Sequence, residues 1–125
     1  MVKLKSSDQP VPIGSMGDGI WRMLALSIAI ALSKSGTLLV DEIDTGLHYT
    51  VMSKMWNLIY AAAKQFDVQV FATTHSYDCV HSLAQIPVDR DPQITVQRIE
   101  AHRPQSVPYD QEELTVAASR EIEVR

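Results

Sequence analysis

Leu38-Leu39-Val40-Asp41-Glu42 is the stretch that decides the fold class, because an apolar run ends there in two adjacent carboxylates. A run of buried-type residues without alternation predicts a strand covered on both faces, as in a parallel sheet. Acids at the carboxyl end of such a strand lie where open α/β sheets bind their ligands. Taken alone, the same run is equally compatible with a strand that leaves the core into a solvated Asp-Glu turn.

The residues that follow predict a strand–helix–strand unit. Residues 68–72 form a second apolar run and predict a second buried strand. Between the two strands, apolar residues recur at the spacing of one helix face, namely at Leu47, Val51, Met52, Met55, Leu58, Ile59 and Ala62. Because the strands of such a unit are parallel, Glu42 and His75 are expected at one edge of the sheet.

The rest of the chain predicts smaller elements. We expect a helix over residues 76–84, a loop over residues 87–92 and a strand over residues 94–100. Residues 102–108 are polar and are expected to separate that strand from a last helix. Asp110 and Glu113 have the spacing of a capping box, which predicts where the last helix begins.

Two neighbouring acids can divide the work of phosphate chemistry. One carboxylate can hold Mg²⁺, directly or through water, and the other can orient or deprotonate an attacking water. The imidazole of His75 can donate or accept a hydrogen bond next to them. The alternative for His75 is an ordinary loop residue that follows a strand.

Four segments, in this order and at this spacing, resemble the C-terminal half of an ABC-type AAA ATPase. The branch concerned includes the overcoming-lysogenization-defect ATPases, recombination proteins and chromosome-maintenance proteins. Residues 14–19 resemble the signature loop, 38–42 Walker B, 44–48 the D-loop and 73–76 the switch-histidine loop. The resemblance implies a P-loop NTPase-like α/β fold whose mostly parallel sheet is flanked by helices. Residues 14–125 would then be the C-terminal half of an ATPase head, and residues 1–13 an N-terminal extension or loop.

The resemblance also implies a role for each motif, with ATP and Mg²⁺ as cofactors. Asp41 would serve Mg²⁺, Glu42 would polarise the attacking water and His75 would sense the γ-phosphate. Asp44 would make contacts across the seam between two associated heads. An equally weighted alternative is that Asp44 and His48 cap or begin the following helix.

Small residues precede the apolar helix predicted for residues 20–32. Gly14, Ser15 and Gly17 leave backbone N–H groups free to meet an anion, and the helix dipole adds to that attraction. The resemblance implies that Ser15 and Gly17 close over a nucleotide held by the opposite protomer. A simple Gly-rich turn with Ser15 or Asp18 as the N-cap is the alternative.

A phosphate-cradling loop is not recognisable. Such a loop needs Gly-rich backbone followed by Gly-Lys and Ser or Thr, and none of the five glycines is followed by lysine. We therefore expect an incomplete fragment that needs a Walker A half from elsewhere. ATP hydrolysis through ATP-dependent association of two heads is expected of the complete protein and not of this chain alone. The alternative is a non-catalytic interaction subunit or a degenerate remnant of such an ATPase.

The expected partners follow from that gap. Without the Walker A strand, the sheet would have an unpaired edge and the apolar helix an uncovered face, and both features favour association. We expect a homo-oligomer or a partner that carries the Walker A half. The net charge of −4 argues against broad nucleic-acid binding by this segment, which leaves such contacts to the missing region. The helix of residues 20–32 is too short to span a bilayer, so we expect a cytoplasmic protein without membrane contact.

His75, Cys79 and His81 allow two competing interpretations. Imidazole and thiolate are suitable zinc ligands, but on a helix position 81 lies well around from positions 75 and 79. The same cysteine and a histidine could act as nucleophile and base, although no orienting acid is evident nearby. We regard both as less favoured than the ATPase interpretation.

Overall fold

The structure is a computed structural model that describes residues 2–3, 10–11, 17–86, 94–100, 102 and 105–119. The elements in chain order are β1 (Val2–Lys3), β2 (Pro10–Val11), α1 (Asp18–Leu32), β3 (Thr37–Val40), α2 (Tyr49–Phe66), β4 (Gln69–Ala72), α3 (Tyr77–Ala84), β5 (Val96–Arg98), β6 (Val107–Tyr109) and α4 (Gln111–Ser119). Within those residues β3 and β4 pair in parallel, whereas β1–β2 and β5–β6 are antiparallel pairs. The fold is therefore mixed α/β with a short parallel sheet.

The predicted strand–helix–strand unit is confirmed as β3–α2–β4. The two strands pair in register from Thr37 opposite Gln69 to Val40 opposite Ala72. β3 ends at Val40, so the two acids lie in the turn that follows the strand. α2 is followed by its C-cap residue Asp67, which adopts a left-handed backbone with φ 55° and lets the chain reverse into β4.

α1 ends at Leu32 and β3 begins at Thr37, so the chain reverses direction between these two residues. The helix stops where the Ser33 hydroxyl donates to the carbonyl of Ala29 at 2.8 Å. A tight turn follows, because a Cβ on Gly36 would lie 3.0 Å from the carbonyl oxygen of Ser33. This reversal brings the first turns of α1 next to the residues that follow β3.

The core lies on one face of the parallel sheet. It is formed by buried residues of α1, α2, α3 and their loops, namely Leu26, Ile30, Ile43, Met52, Met55, Trp56, Ile59, Val68, Cys79 and Ile86. Leu38, Val40 and Val70 of the strands pack against that cluster. The two parallel strands, β3 and β4, are thus anchored by the same core.

The opposite face of the parallel sheet differs from the prediction of a strand covered on both faces. Leu39 and Phe71 are register partners, and their side chains are 75% and 52% exposed. Alternate residues of a strand point to opposite faces, and no described element covers this second face. Only one of the three described strand pairs is parallel, so the mostly parallel sheet is likewise not what the described residues form.

α1 also presents apolar residues to solvent. Its exposed large residues recur at helical spacing, namely Trp21, Leu24, Ile28 and Leu32. The prediction of an apolar helix over residues 20–32 agrees with this pattern, and the buried residues of the helix are Leu26 and Ile30. None of the described helices is long and apolar enough to cross a membrane.

The last part of the chain contains one strand that the sequence did not indicate. β5 lies within the predicted strand, but it pairs with β6 from the stretch expected to be a polar connection. The predicted capping box is confirmed: Asp110 Oδ1 accepts from Glu113 N at 2.9 Å, and Glu113 Oε2 accepts from Asp110 N at 3.0 Å. Leu114 of α4 is fully buried.

Candidate functional site

The loops that follow β3 and β4 are joined at one edge of the sheet. Thr73 N donates to the carbonyl of Val40 at 2.9 Å, and Ile43 N donates to the carbonyl of Thr73 at 3.0 Å. These bonds continue the parallel pairing beyond the strands themselves. Ile43 is completely buried, which fixes the turn between Glu42 and Asp44 onto the core.

The hydroxyl of Thr73 connects the two acids to the second loop. It donates to Asp41 Oδ1 and accepts from Glu42 N at 2.9 Å. A hydroxyl can do both at once because it has one donor and two lone pairs. Asp41 and Glu42 are exposed, so both carboxylates face solvent while their positions are set by this residue.

Glu42 has a backbone conformation that needs support. Its φ of 45° lies in the left-handed region, which costs a residue with a side chain about 1–2 kcal/mol. The Glu42 carbonyl accepts from Arg22 Nη2 at 2.9 Å and from Thr45 N at 3.0 Å. Its carboxylate accepts from Thr45 Oγ1 at 3.2 Å. Glu42 is therefore held by residues from three parts of the chain, namely Thr73, Arg22 and Thr45.

Asp44 and His48 have different roles. His48 is the N-cap of α2, with its ring accepting from Thr50 N. Asp44 does not cap that helix; its Oδ1 accepts from the hydroxyl of Thr74 at 2.5 Å. The capping interpretation is thus confirmed for His48, while Asp44 is a second link between the two loops.

The remaining predicted residues are distributed as follows. His75 is exposed and stands directly after Thr74 in the loop that follows β4. Gly17 precedes α1 with φ 84° and has open space where a Cβ would be. Ser15 lies outside the described residues. The structure therefore brings Asp41, Glu42 and His75 to one edge, as the parallel topology predicted.

The acids at this edge fit a magnesium ion only with help from other ligands. Mg²⁺ keeps several waters and binds through one or two carboxylates plus substrate phosphates, and the exposed Asp41 carboxylate suits that mode. The described residues contain no group of three or more His, Cys, Asp or Glu side chains that could hold a metal ion. An ion at Asp41 would therefore rely on water and nucleotide oxygens.

The two competing interpretations of His75, Cys79 and His81 do not agree with the structure. All three residues are described, and they do not form a metal-binding group. The thiol of Cys79 is completely buried, and burial, with a smaller effect of the Asp44 charge, raises its pKa from 9.0 to about 11. A thiol that stays protonated is a poor nucleophile and metal ligand. Its backbone carbonyl instead accepts from Trp56 Nε1 at 2.9 Å.

Two contacts at the site were missed by sequence reasoning. Thr73 and Thr74 were recognised as part of a loop motif, yet neither was assigned a role. Arg22 belongs to the predicted apolar helix of residues 20–32, and the sequence pattern alone assigned it no role at the site. A hydroxyl pair directly after a strand, and one basic residue in an otherwise apolar helix, were the available signals.

A parallel strand pair with acids at its carboxyl end is compatible with a P-loop NTPase-like fold. Residues 4–78 match the family described as "AAA domain, putative AbiEii toxin, Type IV TA system". The match covers more than half of the chain, so the chain belongs to this AAA family. An AAA domain implies ATP binding in general.

Individual relatives agree with that assignment. The chain is 31% identical over 93 residues to an ATP/GTP phosphatase of Helicobacter pylori, a match covering 72% of the chain and 25% of that protein. It is 36% identical over 66 residues to human ATP-binding cassette sub-family A member 6, covering 53% of the chain and 4% of that protein. An uncharacterized protein of Methanocaldococcus jannaschii is 29% identical over 70 residues, which is 56% of the chain and 61% of that protein. No solved structure matches. The chain thus spans only part of each relative.

Replacing Thr73 tests the connection between the two loops. Thr73→Val keeps the shape but removes both hydrogen bonds, so we expect the free energy of unfolding to fall by about 0.5–1.5 kcal/mol for each bond lost. Thr73→Ser keeps the hydroxyl and is the matched control. Urea denaturation at one protein concentration measures the difference, and equal midpoints for the two variants would contradict the assigned role.

Cys79 is expected to react slowly in the folded protein. A rise in thiol pKa from 9.0 to about 11 leaves roughly a hundredfold less thiolate at pH 8. Labelling of Cys79 with a chromogenic disulfide reagent at pH 8 should therefore be far slower in buffer than in urea. Cys79 in the chain unfolded by urea serves as the reference. Because the native pKa is the higher one, this contribution to stability is complete below about pH 9 and is lost as the pH rises to 11. Equal labelling rates in buffer and urea would show that the thiol is accessible.

Proposed function

We propose that this chain provides the hydrolysing edge of an ATP-binding head that works through ATP-dependent association of two heads. One observation carries the proposal: Thr73 holds Asp41 and Glu42 together, with His75 close by in the same loop. Membership in the AAA family and the ATP/GTP phosphatase relative support a nucleotide as the ligand.

Each residue at the edge has a proposed task. Asp41 serves Mg²⁺, whose chemistry is to neutralise charge on the phosphates. Glu42 polarises the attacking water, and its exposed carboxylate is oriented by Thr45. His75 senses the γ-phosphate. Ser15 and Gly17 contact a nucleotide held by the opposite head, and Asp44 lies at the seam between heads while it holds the loop after β4.

The phosphate grip is proposed to come from a Walker A segment on another polypeptide or on another part of a longer protein. The chain offers no Gly-Lys sequence for it. The exposed apolar face formed by Leu39 and Phe71 supports the idea that such a segment packs against the parallel sheet. The site would be located in the cytoplasm, where ATP is abundant.

Replacing the proposed catalytic acid separates binding from hydrolysis. We expect the chain alone to bind a fluorescent ATP analogue weakly or not at all, and addition of a relative's Walker A segment to restore binding. In that complex Glu42→Gln should keep nucleotide bound and reduce turnover by at least about a hundredfold, because it removes the group that activates water. Glu112→Gln is the control, since Glu112 is exposed on α4.

The outcomes of that experiment discriminate between the candidate functions. Turnover that survives in Glu42→Gln would reject Glu42 as the catalytic carboxylate. Binding without any turnover by the unmodified complex would favour a non-catalytic interaction subunit. No binding even with the added segment would favour a degenerate remnant.

Charging the exposed face tests the proposed association. The chain alone should sediment as an oligomer or a concentration-dependent mixture, because exposed apolar faces favour self-association. Leu39→Glu should shift it toward monomer, since a charge in the centre of that face cannot be buried without cost. Gln65→Glu adds the same negative charge on the exposed side of α2 and should leave sedimentation unchanged. A stable monomer for the unmodified chain would overturn this part of the proposal.

A further inference from the structure

Arg22 lies at the start of α1 and reaches the turn that contains the two acids. It is the single basic residue of that helix. Its Nη2 donates to the carbonyl of Glu42 at 2.9 Å and, at 3.4 Å, to the carbonyl of Asp41. The Nε atom of the same group is buried without a hydrogen-bond partner among the described residues. The guanidinium is thus committed to the turn, and both recorded bonds go to main-chain oxygens.

That choice of partner distinguishes Arg22 from a charge-neutralising residue. A guanidinium beside two carboxylates ordinarily forms bidentate ion pairs with them. Here it bonds the backbone of Asp41 and Glu42, so the carboxylates remain exposed and accessible to other ligands. Such a geometry orients the acids without occupying them.

Glu42 needs that grip more than its neighbours do. Its backbone is held in the left-handed region at φ 45°, a conformation that persists only where surrounding contacts impose it. Thr73 holds its N–H and Thr45 holds its carbonyl from within the same turn. Arg22 is the contact that comes from α1, so the position of this helix is transmitted to the orientation of Glu42.

We propose that Arg22 is a positioning residue that fixes the backbone of Glu42 for hydrolysis by bonding its carbonyl oxygen. The inference rests on the proposed function only for the chemistry that Glu42 performs. The contact itself belongs to the chain alone and can be tested without nucleotide. Arg22 touches neither nucleotide nor water in this role; it acts through Glu42.

The first measurement is amide hydrogen exchange on the chain. Arg22→Met keeps the length of the side chain but removes its donors, and should speed exchange of the Glu42 and Thr45 amides by about twofold to tenfold, the range for one hydrogen bond. Exchange in α2, for example at Ile59, should stay unchanged and serves as the internal check on folding. Arg22→Lys, which can still donate to a carbonyl, should restore protection in part.

The second measurement is turnover in the complex with the Walker A segment. Arg22→Met should lower kcat with little change in KM, because an interaction that orients a catalytic group is felt in the transition state and not in substrate binding. Arg22→Lys should recover part of kcat. Arg98→Met is the matched control, since Arg98 is the last residue of β5 and its Nε lies 3.4 Å from Glu100 Oε1.

The outcomes separate the two proposals. Unchanged exchange at Glu42 and Thr45 in Arg22→Met would overturn the positioning role whatever the kinetics show. Faster exchange with unchanged kcat would also overturn it, since the contact would then be structural only. If the unmodified complex hydrolyses no ATP while exchange responds as expected, the proposed function has failed and the contact stands without a catalytic purpose.

Discussion

The arrangement of this site depends on one hydroxyl group. Thr73 Oγ1 donates to the Asp41 carboxylate and accepts from the Glu42 amide, so one side chain from the loop after β4 fixes two consecutive residues after β3. The contact is possible because the two strands are parallel and in register, which brings their carboxyl ends level. Without that register, the hydroxyl would face the wrong residue of the other loop.

Much of the fold could be predicted from patterns with a fixed period. The apolar runs of the two central strands and the helical spacing between residues 47 and 62 predicted β3–α2–β4. Parallel pairing followed because a crossover through a helix lets both strands run in the same direction. Burial could not be predicted, because a run of apolar residues indicates which side chains avoid water but not which helices or strands cover them. Leu39 and Phe71 show this, since both are apolar and both are exposed. β6 was missed because Pro108 and its polar neighbours resemble a connection.

For the candidate site, the sequence predicts which residues share an edge of the sheet but not the contacts that hold them there. Topology alone places Asp41, Glu42 and His75 at one edge, because parallel strands end together. Sequence could not predict that Thr73, Thr74 and Arg22 hold that edge. Hydroxyl contacts depend on register to within one residue, and the reach of Arg22 depends on the tight reversal between α1 and β3.

The charge at this edge explains why the acids need a second contributor. Asp41, Glu42 and Asp44 follow one another within four positions, and the chain carries a net charge of −4. Such a surface repels a triphosphate until a cation intervenes. Among the described residues, the guanidinium of Arg22 reaches this turn, and it bonds the backbone carbonyls of Asp41 and Glu42. In the proposed function, affinity for phosphate would therefore come from Mg²⁺ and from a cationic loop supplied by another segment, and the acids described here would act on the nucleotide that the loop holds.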